Sequence, residues 1–106
     1  MVRMTVVAKV RPEKRSEFLN AMRALQKNRM DEQGNNGSHV YERREEPSCF
    51  LIIDKWKTLE DLQVFFTKED FRILLGALRT LCIKAEVKYD PLCTQGGDEC
   101  QDTGQR

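Results

Sequence analysis

Cys49-Phe50-Leu51-Ile52-Ile53-Asp54-Lys55-Trp56 is the stretch whose reading decides the fold. Side chains alternate across a strand, so Phe50, Ile52, Asp54 and Trp56 project to one side and Cys49, Leu51, Ile53 and Lys55 to the other. Over residues 50–53 both sides are apolar. A strand of an antiparallel sheet with one wet face alternates cleanly between apolar and polar; this one needs cover on both sides. Either helices lie on both faces, or helices lie on one and a second subunit on the other.

The flanking elements choose between these. Met4, Val6, Ala8 and Val10 alternate with Arg3, Thr5, Val7 and Lys9, which predicts a strand over residues 2–10. Pro12 then suits a first helical turn, where its missing N–H would be unpaired anyway, and Glu13 complements the helix dipole. Phe18, Leu19, Met22 and Leu25 recur at helical spacing with Ala21 beside them, predicting an amphipathic helix from Pro12 to about Met30. Gln33-Gly34-Asn35-Asn36-Gly37 predicts a tight loop. Residues 38–44 read as an edge strand, polar on both faces, and Glu45-Glu46-Pro47-Ser48 turns it into the 49–56 strand as a hairpin.

Beyond Trp56, Thr58 followed by Asp61 is a capping pattern for a short helix carrying Leu62, Phe65 and Phe66. A break at residues 67–70 precedes a stripe of Phe71, Leu74, Leu75 and Leu78. Residues 82–89 alternate again, and Asp90-Pro91 stops them. The order β-α-β-β-α-β is the ferredoxin-like α+β arrangement, a four-stranded antiparallel sheet with both helices on one face. Helices then cover only one side of the central strands. The other side is expected to be covered by a second copy, giving a homodimer through the sheet face. Residues 1–90 form the domain; residues 91–106, polar and without period, are expected to be a mobile tail.

Composition narrows the function. Eighteen basic residues against seventeen acidic leave a net charge of +1 over 106 residues. That supplies no field to attract nucleic acid or an anionic membrane, so neither is expected as a partner. No stretch has the apolar length of a membrane-spanning helix. Lys9 and Arg11 interrupt the apolar amino terminus and no small-residue cleavage site follows, which points to a cytoplasmic protein. Cys49 and Cys82 fall in predicted strands as buried apolar residues. Cys93 and Cys100 match no zinc spacing, and no glycine-rich phosphate loop or metal-ligand cluster is visible, so no cofactor and no metal are expected.

Gly37-Ser38-His39-Val40-Tyr41-Glu42, Phe50 through Trp56, Thr58-Leu59-Glu60-Asp61-Leu62 and Phe71 together resemble the antibiotic biosynthesis monooxygenase domain. That family typically shows a Gly followed by Tyr-Glu, a hydrophobic strand ending Glu-x-Trp, and a helix opening Ser-x-Glu-Ala. The resemblance covers residues 2–89. It implies a dimeric α/β barrel, and an activity in which quinol-like or polyketide aromatic substrates are oxygenated with O2 without metal or flavin. This chain departs from the pattern. Asp54 stands for the usual Glu, Phe65 and Asp70 stand where many members carry His, and Leu75 falls where haem-degrading relatives place their iron ligand. Leucine cannot ligate iron, so the haem branch is not implied. An ungapped hairpin would match Gly34 to the family glycine; the gapped match to Gly37 keeps Tyr41-Glu42 in place.

Cofactor-free oxygenation needs an electron-rich bound substrate, a group to take its proton, and a dry pocket. The candidates are Trp56 as wall and stacking partner, with Phe50, Phe65, Phe66, Phe71 and Leu75 as substrate-binding walls. Tyr41 is a hydrogen-bond partner or a cross-strand packing residue. His39 is the one side chain whose ordinary pKa lies near neutrality, and period two puts it on the Tyr41 face. Asp54, a carboxylate on a buried strand face, is either ion-paired to an arginine such as Arg43 or Arg72, or a general base. The alternative to an enzyme is a non-catalytic dimeric module that binds a small hydrophobic ligand.

Overall fold

A computed structural model describes residues 1–91. The expectations for the tail, Cys93 and Cys100 among them, lie outside the described residues. The elements are β1 (Val2–Val10), a single 3-10 turn (Pro12–Lys14), α1 (Arg15–Arg29), β2 (Asn35–Glu42), β3 (Cys49–Trp56), α2 (Leu59–Phe66), α3 (Glu69–Leu81) and β4 (Cys82–Pro91). They form one four-stranded sheet in the order β2-β3-β1-β4, every pair antiparallel. β1 and β3 are central, as the doubly apolar reading of β3 requires.

Cross-strand register fixes the faces. Val40, Ile52, Val6 and Val87 lie on one transverse row beneath the helices. There Val6, Ile52, Phe18, Met22, Leu62 and Leu74 pack as the buried core. The opposite face carries Val7 (43% exposed) and Tyr41 (52% exposed) beside the half-buried Leu51 and Ile53. Nothing in the chain's described residues covers it.

Local chemistry accounts for the boundaries. Pro12 occupies the 3-10 turn that leads into α1. The Thr58 hydroxyl accepts from the Asp61 N–H at 3.1 Å and caps α2. α2 and α3 are separate helices, parted at Thr67–Lys68. β2 corrects the sequence reading twice. It starts at Asn35 rather than Ser38, and it stops at Glu42 rather than Arg44. A register shift between Asn35 and Ser38 marks a bulge that contains Gly37 at φ +129. At the hairpin the Glu42 carboxylate accepts from the Ser48 N–H at 2.9 Å and from Arg15 Nε at 2.8 Å, which ties the strand end to the start of α1. β4 continues through Pro91, which pairs with Val2, two residues past its expected end at Tyr89.

Candidate functional site

The site is built at the end of the sheet where β3 leaves for α2. The pleat of β3 puts Asp54 and Trp56 on the helix side, both fully buried. α1 brings an arginine to the same place. Phe18, Met22 and Leu25 are followed on their stripe by Arg29, which is 1% exposed. Arg29 Nε lies 2.7 Å from Asp54 Oδ2. The two atoms are close but not aligned as a hydrogen bond, so the attraction is chiefly charge to charge. α2 supplies Phe65, which stacks on Trp56 with ring centroids 5.0 Å apart. The Arg29 guanidinium lies over the Phe65 ring at 5.2 Å, and Phe71 meets its edge at 5.7 Å.

Several polar atoms in this aromatic setting lack partners. Arg29 Nη1, Asp54 Oδ1, Trp56 Nε1, Ser38 Oγ and Asn35 Nδ2 are all buried without a hydrogen bond. Register places Asn35 opposite Trp56 and Ser38 opposite Asp54, so these groups share one corner of the molecule. Burial is the main influence on Asp54 and pushes its pKa up. The Arg29 charge pulls it back without cancelling the burial. The Ser38 hydroxyl, near the carboxylate though not aligned to donate to it, and His39 pull in the same direction as Arg29. The arrangement holds a carboxylate of raised proton affinity, a guanidinium and an indole N–H out of water.

The residues singled out in the sequence divide over the two faces. Trp56, Asp54, Phe65 and Phe71 come together under the helices, with Phe66 in contact with Phe71 (4.8 Å) and Tyr89 (5.8 Å). Leu75 packs against the same core from α3. Phe50 is at the far end of β3, packed on Phe18 at 5.0 Å, and does not join Trp56. His39 and Tyr41 neighbour each other at 6.3 Å, as period two requires, but stand opposite Ile53 and Leu51 on the uncovered face. The partner of Asp54 is Arg29, not Arg43 or Arg72. Arg43 is spent on Glu46 in the hairpin at 3.8 Å. Arg29 is the residue sequence reading missed; its signal was a cation eleven residues after Phe18, on the apolar stripe that Phe18 starts. Among the described residues no three of His, Cys, Asp and Glu converge to hold a metal ion.

Two of the concave regions lie near the residues singled out in the sequence. On the uncovered face, Val7, Tyr41, Arg43, Cys49 and Leu51 line a shallow groove of about 340 Å3. Between α1 and β2, Gln26, Lys27, Met30, Gly37, Ser38 and His39 line one of about 460 Å3. Gln26 Nε2 donates across that second groove to the Ser38 carbonyl at 2.6 Å.

Comparison with known proteins gives the lineage. Residues 1–73 match the family described as antibiotic biosynthesis monooxygenase. The protein named Putative monooxygenase YcnE, from Bacillus subtilis (strain 168), is 35% identical over 57 residues, covering 54% of this chain. The match spans 60% of that relative's length. A conserved protein from Methanosarcina mazei Go1 superposes with a TM-score of 0.77 at 25% identity, covering 83% of this chain and 88% of that one. A structure named as a putative antibiotic biosynthesis monooxygenase from Deinococcus radiodurans superposes at 0.82 with 17% identity, over 88% of this chain and 93% of its own, and shares the fold.

Proposed function

This chain belongs to the antibiotic biosynthesis monooxygenase family, and from that membership we propose that it is a cofactor-independent monooxygenase acting on a small aromatic or quinol-type substrate with O2. The observation that carries the reading is the buried corner where Asp54, Arg29 and the Trp56 N–H meet under aromatic rings. In such a reaction an activated CH2 between aryl groups becomes C=O. One oxygen atom enters the product and the other leaves as water. The substrate supplies all four electrons, so no external reductant is needed. Asp54 takes the proton whose loss makes the substrate electron-rich, Arg29 balances the resulting charge, and Trp56 with Phe65, Phe66 and Phe71 keeps the site dry.

Oxygen uptake with a panel of hydroquinones and anthrones tests this. The chain should exceed the rate of uncatalysed autoxidation, and Asp54→Asn should lower the excess on the order of a hundredfold. Trp56→Phe should lower it as well. One observation favours a second reading: Trp56 is fully buried beneath the chain's own Phe65, at a position where many family members carry His. Tight binding of the panel with no oxygen uptake would establish a non-catalytic ligand-binding module instead.

The proposal includes a homodimer. Val7, Leu51, Ile53 and Tyr41 form an apolar patch on the uncovered sheet face, and a second copy is the cover its composition fits. An interface on the order of 1,200–2,000 Å2 is expected. Light scattering should report twice the chain mass, and Leu51→Glu should return it to the single mass. A wild-type chain that scatters as a monomer at micromolar concentration removes the dimer.

A further inference from the structure

The α1–β2 groove and the buried polar corner share a residue. Ser38 lines the groove, and its hydroxyl is buried without a partner on the side where Asp54 stands opposite. Behind Ser38 lie the remaining unpaired atoms, Asp54 Oδ1, Arg29 Nη1 and Trp56 Nε1. Nine buried side-chain atoms lack hydrogen-bond partners among the described residues, and all but three (Arg3 Nε, Asp90 Oδ1 and the amide of Asn35) belong to these four side chains. Arg29 Nε and Asp54 Oδ2 face each other in the 2.7 Å ion pair, which leaves Ser38 Oγ, Asp54 Oδ1, Arg29 Nη1 and Trp56 Nε1. A buried polar atom left unsatisfied costs on the order of 1–3 kcal/mol, so the concentration of these four behind a residue that lines the groove points to an occupant. The set is specific in kind: one carboxylate oxygen that accepts, two N–H groups that donate, and a hydroxyl that does either. A hydroxyl on an aromatic ring matches it, giving its proton to Asp54 and accepting from Arg29 and Trp56. The groove itself suits the ring, with Met30 74% exposed at its rim and His39 among its lining residues.

We propose that the groove between α1 and the β2 bulge is the mouth of the substrate site, and that Ser38, Asp54, Arg29 and Trp56 behind it receive a phenolic hydroxyl of an aryl ligand. This deepens the monooxygenase reading and rests on it for the ligand's aromatic character. It assigns Arg29 and Ser38 to ligand binding and places entry at the sheet's β2 edge.

Calorimetry with alpha-naphthol and alpha-methylnaphthalene tests the assignment, because the methyl group fills the hydroxyl's place without its hydrogen bonds. The wild-type chain should bind the naphthol at least tenfold more tightly. Arg29→Met/Asp54→Leu, which replaces the ion pair by apolar groups of similar size and should remain folded, should bind the two within about twofold of each other. Met30→Asp at the rim should weaken both probes by the same factor and leave their ratio unchanged. Equal affinities in the wild-type chain, absence of binding, or a naphthol preference that survives in the double variant would overturn the proposal. The oxygenase reading stands or falls separately. A naphthol preference without oxygen uptake from any quinol supports this site and removes that activity, whereas turnover with equal probe affinities does the reverse.

Discussion

Replacing Arg29 by Met should leave a carboxylate stranded in the core, and the size and pH dependence of the effect follow from the geometry. Arg29 and Asp54 are 1% and 0% exposed and 2.7 Å apart, so solvent does not discount their attraction as it would on the surface. Removing one member of such a pair costs about 3–5 kcal/mol, most of it from the charge left behind. The pKa of Asp54 is raised in the folded chain, so folding binds a proton more tightly. The stability linked to that proton is fully present below the unfolded value near 3.8 and is lost as pH rises through the folded value. Arg29 is the strongest influence opposing the rise. Without it the folded pKa climbs further, and the deficit relative to wild type should be largest at neutral pH and shrink as pH falls toward 3.8. Urea denaturation followed by Trp56, the only tryptophan, reads this directly. Arg29→Met/Asp54→Leu should recover to within about 2 kcal/mol of wild type and show no such pH trend against it. A single-variant loss below about 1 kcal/mol, or one that stays constant on acidification, would refute the account of the corner as a buried ion pair.

Phe65→Ala removes the ring held between Trp56, Arg29 and Phe71; it should cost about 3–5 kcal/mol in urea denaturation and shift Trp56 emission to longer wavelength. Gly34 stands at φ +86 with the Asp61 side chain where a Cβ would be, so Gly34→Ala should cost at least about 1–2 kcal/mol; a neutral result would mean the β2 entry is not as described. The Arg15 guanidinium, with the Ser48 N–H, holds the Glu42 carboxyl at about 2. The stabilisation it gives is therefore present above the unfolded value of 4.5 and lost as pH falls through about 2, so Glu42→Gln should be less stable than wild type at neutral pH and indistinguishable from it at the acid end of the denaturation series.

Much of the fold was legible because its signals are local and redundant. The two-sided apolarity of β3, the alternation of β1 and the Phe18-Met22-Leu25 stripe each fix an element, and together they leave one topology. The site was less legible for reasons that can be named. A strand running to Arg44 with a turn at residues 45–48 would pair residue 44 with 49 and put His39 opposite Asp54. In the structure β2 stops at Glu42 and Glu42 pairs with Phe50, a change of one in register, which sends His39 and Tyr41 to the other face. Arg29 escaped notice because charge normally marks an outer helical face, and only its buried carboxylate partner explains it on the inner one. That partner lies 25 residues further along the chain, between residues 29 and 54, so no local pattern could join them.

β1 sits in the middle of the sheet, hydrogen-bonded to β3 on one side and β4 on the other. It is also the first of these four strands to be synthesised. Val10 pairs with Cys82, and at roughly 5–20 residues per second the chain needs several seconds to deliver that partner. During synthesis the Met4-Val6-Ala8-Val10 strand therefore waits with its β4 edge open. Arg3, Lys9 and Arg11, interleaved with and next to those residues, place like charges along the waiting segment of every nascent copy and discourage two of them from pairing.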